Sequence, residues 1–394
     1  MVFWFGQWTG LLWDVRSLGD LITLLNRSNT THTYKGKEFT ESPYVFKMQL
    51  RDRHFDRLGY WRSEDMQTGG IWYGIGASGS HTEQDPKIIS EIMGKRASYD
   101  PSLESLDPAQ PNARSRYLPR CLHSLTVICL AGLMAALLLV LLIVSFLPQT
   151  RLEDGFRPLL SARPGSAAFS AANFLYSFLP SLLGMVLFLT IQKLDFALRV
   201  VQPWGALSLI DGAAARKSIL ADYAACLPLQ VTWRAARAGH WRVAILSLMS
   251  LLSAAIPALA GGLFMALTRI DRQVRMFPNV PVYGVLLALL FLYVGSIILL
   301  IPRRHQFRLP HAVSCLAEVI SFCSAEGLTK DAAFRAVRSR DDLKTRLGVG
   351  GGADPREESY WYFGILPGKN EKQLSVRRMR RFTEKRRRST RSMV

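Results

Sequence analysis

Apolar residues recur along this chain in two patterns, one periodic and short, the other continuous and long. In SLGDLITLLNRS the positions Leu18, Leu21, Ile22 and Leu25 follow the i, i+3, i+4, i+7 rule of one helix face. In SCLAEVISFCSAE the positions Leu316, Val319, Ile320 and Cys323 do the same. Four other segments, Ser124–Leu147, Ala167–Ile191, Val243–Leu267 and Val280–Ile301, are almost wholly apolar and hold no Asp, Glu, Lys, Arg or His. A helix needs roughly 20 such residues to cross the hydrocarbon of a bilayer. Each Leu, Ile, Val or Phe near mid-membrane favours insertion by about 0.3 to 0.6 kcal/mol, so each segment is expected to insert on its own. The pattern predicts an all-α integral membrane protein with four transmembrane helices, short amphipathic helices and small cytosolic tail elements.

The two periodic stretches belong to a longer echo. RLGYW (Arg57–Trp61) and IWYGIG (Ile71–Gly76) follow the first; RLGVG (Arg346–Gly350) and YWYFGI (Tyr360–Ile365) follow the second. A shift of 298 brings Leu18 onto Leu316, Asp20 onto Glu318 and Ile22 onto Ile320. Three anchors in one order read as an internal repeat. An even number of spans sets both copies on one side of the membrane. The chain then divides into a remnant tail of a first repeat unit (1–80), a flexible linker (81–120), a four-span membrane domain (121–301), the tail of a second unit (302–370) and a disordered polybasic tail (371–394).

Charge orients this plan. The chain carries 49 Lys and Arg against 30 Asp and Glu, a net +19, and its mean hydropathy is +0.12. Basic residues gather before the first span (Arg114, Arg116, Arg120), between the second and third (from Lys193 to Arg242) and after the fourth (Arg303, Arg304, Arg308). The other two loops carry three each, so both termini are expected in the cytosol, at the plasma membrane or an endomembrane. On that orientation the sequons at Asn26 and Asn29 stay unglycosylated. The tail holds Arg377, Arg378, Arg380, Arg381, Arg386, Arg387 and Arg388, and beside four spans it reads as a binder of anionic lipid headgroups rather than nucleic acid.

Candidate chemistry is sparse. Five cysteines show no CxxC or Cys/His spacing for zinc, and seven histidines are scattered singly without HExxH. No GxSxG elbow, P-loop or paired carboxylates appear. Gly74, Gly76 and Gly79 spell GxGxxG, yet the following SHTEQDPK is poor at starting a helix, so this is read as a turn. Pro180 and Pro257 are each expected to kink a span. Ser250, Ala254, Ala258 and Gly262, at four-residue spacing, suggest a close helix pair. After the second span, Pro203 is expected to break the helix and Trp204 to sit in the interfacial belt. Ala213–Ala225 is expected as an amphipathic helix with Arg216, Lys217 and Asp222 on its wet side. Trp233, Arg234, Arg237, His240, Trp241 and Arg242 alternate rings and cations, as at headgroup level.

The segment Leu182–Phe264 carries Gln202, Pro203 and Trp204, then Ser218, Ile219, Asp222 and Tyr223, then His240, Trp241 and Arg242. These motifs resemble those of a fungal multi-pass membrane family known only as a domain of unknown function, whose members often hold two such units. The resemblance implies that this chain is a shortened member, and it implies no activity. The expectation is a structural or scaffolding membrane protein without catalysis, cofactor or metal, whose partners are the bilayer and other proteins or copies of itself met through the membrane helices. A transporter or channel component ranks second, and a lipid-acting enzyme third.

Overall fold

A computed structural model describes residues 11–26, 28, 30–40, 43–50, 56–62, 71–77, 117–146, 156–158, 160, 171–268, 274–301, 307–350, 358–365 and 374–379. In chain order the principal elements are α1 (Leu18–Leu25), β1 (Asp56–Arg62), β2 (Ile71–Ala77), α2 (Ser124–Phe146), α3 (Leu179–Leu207), β3 (Ala213–Ala214), α4 (Pro228–Ala238), α5 (Trp241–Leu252), α6 (Ile256–Gly261), β4 (Phe264–Thr268), β5 (Val274–Pro278), α7 (Val280–Ile298), α8 (Leu316–Cys323), α9 (Arg340–Arg346), β6 (Tyr360–Ile365) and β7 (Leu374–Met379). They form two compact units. The helical unit comprises Pro119–Val200 and Cys226–Arg304; the mixed unit comprises Met1–Leu118, Val201–Ala225 and His305–Val394.

The helical unit contains four helical stretches long and apolar enough to cross a membrane: Ser124–Ser145, Phe174–Leu207, Trp241–Gly261 and Val280–Ile298, the second running on into the mixed unit. Two interruptions fall at the prolines. Pro180 has no backbone N–H, and the turn just before it, Phe174–Phe178, is wound as a wider π-helix. A tight 3₁₀ turn, Ser253–Ala255, precedes Pro257 in α6. That turn also shifts the helical phase, so Ala254 and Ala258 face outward and the expected small-residue stripe does not make the close contact. Gly184 makes it instead: a Cβ there would lie 3.0 Å from Pro257 Cα. Ser177 adds a hydrogen bond from its Oγ to the Gly261 carbonyl, 2.6 Å.

The third apolar segment was expected to stay helical to Leu267. It ends at Gly261, and β4 pairs antiparallel with β5, Phe264 opposite Pro278 and Thr268 opposite Val274. The Gly261-Gly262 pair, costly inside a helix, marks the change of geometry. Phe156 joins this hairpin by a bridge to Met276 and packs edge-on against Phe264.

Strands in the mixed unit also correct the all-α expectation. β1 and β2 form an antiparallel hairpin, and β6 lies between β3 and β7 in a three-stranded sheet. Its core is aromatic: His311 stacks on Phe322 at 4.1 Å, and Phe322 meets Trp204 and Phe363 edge-on. Trp361 and Phe334 extend the cluster. Gly74 and Gly76, read as a turn, lie in β2, where a Cβ on Gly74 would stand 2.6 Å from the Leu24 carbonyl of α1. Arg377 and Arg378, expected in a disordered tail, lie in β7, because LSVRRM pairs in register with YWYFGI. Tyr117, at the edge of the expected linker, bridges Leu309; the linker from 81 to 116 lies outside the described residues.

The two periodic helices match closely. Each has eight residues and starts with a capping box. In α1, Asp20 accepts from the Ser17 N–H at 3.0 Å; in α8, Glu318 accepts from the Cys315 N–H at 3.1 Å. The aromatic-Gly segments are both strands, β2 and β6. The RLG anchors differ: Arg57–Gly59 lies in β1, whereas Arg346 closes α9 and Gly348 adopts φ +77°.

Candidate functional site

A buried ion pair or ion cluster stands out in each unit. In the helical unit, α3 places Asp195 and Arg199 one turn apart, and the two pair with side chains only 2% and 9% exposed. The Arg199 guanidinium also donates to Ser247 Oγ of α5 at 3.0 Å. Ser247 in turn donates to the Pro228 carbonyl of α4 at 3.0 Å, and Thr232 Oγ1 lies 3.3 Å from Ser247 Oγ. Gln192 reaches the Ser250 carbonyl at 2.9 Å, and Tyr293 of α7 donates to the Met249 carbonyl. Polar side chains thus bind α3, α4, α5 and α7 together where apolar packing alone would leave register loose. Asp195 Oδ1 and Arg199 Nε are buried without a hydrogen-bond partner. A buried polar atom without a hydrogen bond is costly even within an ion pair, by about 1 to 3 kcal/mol.

In the mixed unit, Arg340 at the start of α9 joins two acids. Its Nη2 donates to Asp222 Oδ2 at 3.0 Å and its Nε stands 3.7 Å from Asp20 Oδ2. Asp20 is fully buried and already accepts from the Trp13 indole at 3.1 Å and from the Ser17 hydroxyl at 2.8 Å. Gly19 N–H donates to the Ile219 carbonyl at 2.8 Å beside this cluster. Three segments far apart in sequence therefore meet on one guanidinium.

Glu38 is a third buried charge, 2% exposed, with Oε2 unpartnered. Burial pushes its carboxyl up to about 7, against the opposing backbone N–H groups of Glu38, Gly36, Leu374 and Lys37. Burial also raises Glu318, but the Ser314 and Cys315 donors outweigh it and hold it below the usual range. Desolvation holds the His311 imidazole low, against the Ala312 carbonyl and Glu318. Among the described residues no three His, Cys, Asp or Glu side chains are grouped to hold a metal.

The motif residues do not converge on one site. Gln202, Pro203 and Trp204 lie in the last turns of α3, which runs through Pro203 to Leu207 rather than breaking. A proline inside a helix costs about 3 kcal/mol; burial of Trp204 and Leu207 beyond it offsets that loss. Trp204 is 2% exposed, so it is a core residue and not a belt residue. Ser218 is buried and bonds the Ala214 carbonyl at 2.9 Å. Asp222 is buried against Arg340 instead of lying on a wet helix face, because Ala213–Ala225 forms a strand and two 3₁₀ turns. Its strand requires Gly212, whose φ is +64° and whose Cβ would meet the Trp361 carbonyl at 2.7 Å. Arg216 and Lys217 are exposed as expected, and Tyr223 is buried. His240 takes the N-cap position of α5 without a side-chain cap hydrogen bond, Trp241 is exposed and Arg242 half-buried. Arg380, Arg381, Arg386, Arg387 and Arg388 lie outside the described residues, as does Asn29. Asn26, the other sequon asparagine, donates its amide to the Thr329 carbonyl.

Sequence reasoning missed Asp195, Arg199 and Arg340. The first two carried a signal: opposite charges at i and i+4 immediately after an apolar run. Arg340 carried none, since its partners lie 320 and 118 residues away.

Residues 174–265 match the family model described as Protein of unknown function (DUF3433). This places a domain of unknown function over α3, α4, α5 and α6, including Asp195, Arg199 and Ser247. No curated protein and no solved structure matches the chain.

Proposed function

We propose that the protein is a multi-pass integral membrane scaffold with both termini in the cytosol. Supporting the membrane placement is the outward face of the four apolar helices. On α2 alone Leu125, Ile128, Leu133, Leu139, Val140 and Ile143 are exposed, while the helix contains no charged residue. Each such side chain left in water forgoes about 1.5 to 3 kcal/mol of burial. A surface of that kind, on a helix that satisfies its own backbone, suits hydrocarbon better than water. The paired capping boxes of α1 and α8 support descent from a duplicated unit of the kind the fungal family carries. The scaffold role rests on the mixed unit, whose aromatic core and Arg340 latch gather three chain segments into a fixed surface. The basic C-terminal tail would add an anionic-lipid contact. Alkaline carbonate extraction tests the placement: the chain is expected in the membrane pellet, and release into the supernatant refutes it. Cysteine labelling from each side of sealed vesicles tests the orientation, with both ends expected to label from the cytosolic face.

A transport component is the second reading. It draws on Asp195 and Arg199, charged and buried within a helix otherwise suited to lipid. Substrate-dependent flux in proteoliposomes, lost in Asp195→Asn, would rank it first.

A further inference from the structure

α4 is too short to cross a bilayer, about 16 Å at the helical rise. It folds back on α5 through Gly239, whose φ of +80° ends the helix. Val231, Ala235 and Ala238 of α4 and Val243, Ala244 and Leu246 of α5 are buried. The outer side of this hairpin is unusual. Leu227 just before α4, Leu229 and Trp233 on α4 and Trp241 at the start of α5 are 75%, 64%, 69% and 63% exposed. The same stretch of chain carries Arg237, exposed, and Arg234 and Arg242, half-buried. No Asp or Glu occurs between Asp222 and Asp271, so the charged residues of this stretch are all basic.

We infer that the outer face of the α4–α5 hairpin is a binding surface for anionic phospholipid headgroups. This inference rests on the reading that the four apolar helices span a membrane. Two features select lipid over a soluble acidic partner. Indole rings favour the zone where apolar and polar media meet, and guanidinium groups pair with phosphate through two parallel hydrogen bonds. The surface is also continuous with the apolar exterior of α5, where Leu248, Leu251 and Leu252 are exposed about two to three turns beyond Trp241. A soluble partner would have to end where that exterior begins; a lipid covers both, its phosphate on the arginines and its chains along the leucines. Arg234 is held in place by its Nη1 contact with Cys226 Sγ at 3.2 Å, which orders one of the cations before lipid arrives.

The test uses the full-length chain in nanodiscs containing a phosphatidylserine analogue with a photoreactive headgroup, with crosslinked peptides mapped by mass spectrometry. Adducts are expected within Leu227–Arg242, and a phosphatidylcholine analogue should label that stretch far less. A basic residue near an anionic surface is worth about five-fold in binding, so Arg234→Gln with Arg237→Gln should cut the labelling about 30-fold. The variant should keep the melting temperature and the resistance to alkaline extraction of the parent chain, reporting that it is folded and embedded. The Arg234→Lys, Arg237→Lys pair should retain most of the labelling. Equal labelling by both analogues, or labelling unchanged in the glutamine variant, overturns the inference. If the chain resists alkaline extraction in that case, the lipid surface alone fails; if alkali releases the chain, the membrane-spanning reading fails with it.

Discussion

The helical unit and the mixed unit spend their apolar residues in opposite directions. α1 turns Leu21, Ile22 and Leu25 inward, as a helix in water must. α2, with almost three times as many residues and no charge, leaves Leu125, Leu133, Leu139 and Leu142 exposed and buries only Leu130 of its leucines. Buried polar groups follow the reverse logic. In the mixed unit Asp20, Asp222 and Glu318 close turns and caps around an aromatic core. In the helical unit Asp195, Arg199, Ser247 and Gln192 tie α3 to α4 and α5 by directional contacts that leucine packing does not supply. One chain therefore uses charge to finish a core in one region and to fasten helices in the other.

Removing half of the α3 pair should break the helical unit most severely. Arg199→Met strands a buried Asp195 carboxylate, and a loss of about 3 to 5 kcal/mol is expected in thermal or denaturant unfolding in detergent. Replacing both partners with Asp195→Leu and Arg199→Met should restore most of that stability. If the single and double variants unfold alike, the pair does not fasten the bundle.

The mixed unit should instead respond to pH. Folded Glu38 holds its proton to about 7, whereas an unfolded chain releases it near the ordinary carboxylate value. Folding thus takes up a proton between those values, and stability falls as pH rises through that window, then levels off. The cost above neutrality is about 3 kcal/mol. Glu38→Gln should remove this slope and raise the melting temperature at pH 8 more than at pH 5; an unchanged slope would show that other groups carry it.

A smaller effect separates the tight helix contact from the outward surface. Gly184→Leu drives a side chain against Pro257 and should cost about 1 to 3 kcal/mol, read as a lowered melting temperature. Gly132→Leu on α2 meets open space and should cost little. The least effect concerns the paired caps. Ser17→Ala should destabilise by about 1 kcal/mol, seen as faster amide exchange in α1. Cys315→Ala should cost less, because Ser314 still donates to Glu318 through both its N–H and its hydroxyl.

Much of this was legible in the sequence. Continuous apolar runs placed the first and fourth helices within a few residues of their ends, but the second runs on from Ile191 to Leu207 and the third stops at Gly261 instead of Leu267; periodicity placed α1 and α8. The RLG anchors misled, because three residues carry too little information to choose between β1 and the end of α9. The Pro203 expectation failed for a related reason: a local penalty of a few kcal/mol yields to the burial of a tryptophan, and that burial depends on Phe322 and Phe363, well over a hundred residues away. The GxGxxG reading erred likewise, since Gly74 answers to a backbone in α1.

By itself the sequence determined what any short window of it can encode: which stretches are apolar enough for lipid, which repeat at helical period, where a cap sits and how charge is distributed. Only the tertiary structure decided that Arg340 serves Asp20 and Asp222, that Trp204 is core and that Asp195 and Arg199 are shut inside a helical bundle. Hydrophobic transfer and helix periodicity act on neighbours along the chain. The pairing of charges and rings depends on which distant segments share a space, and that is settled when the chain folds.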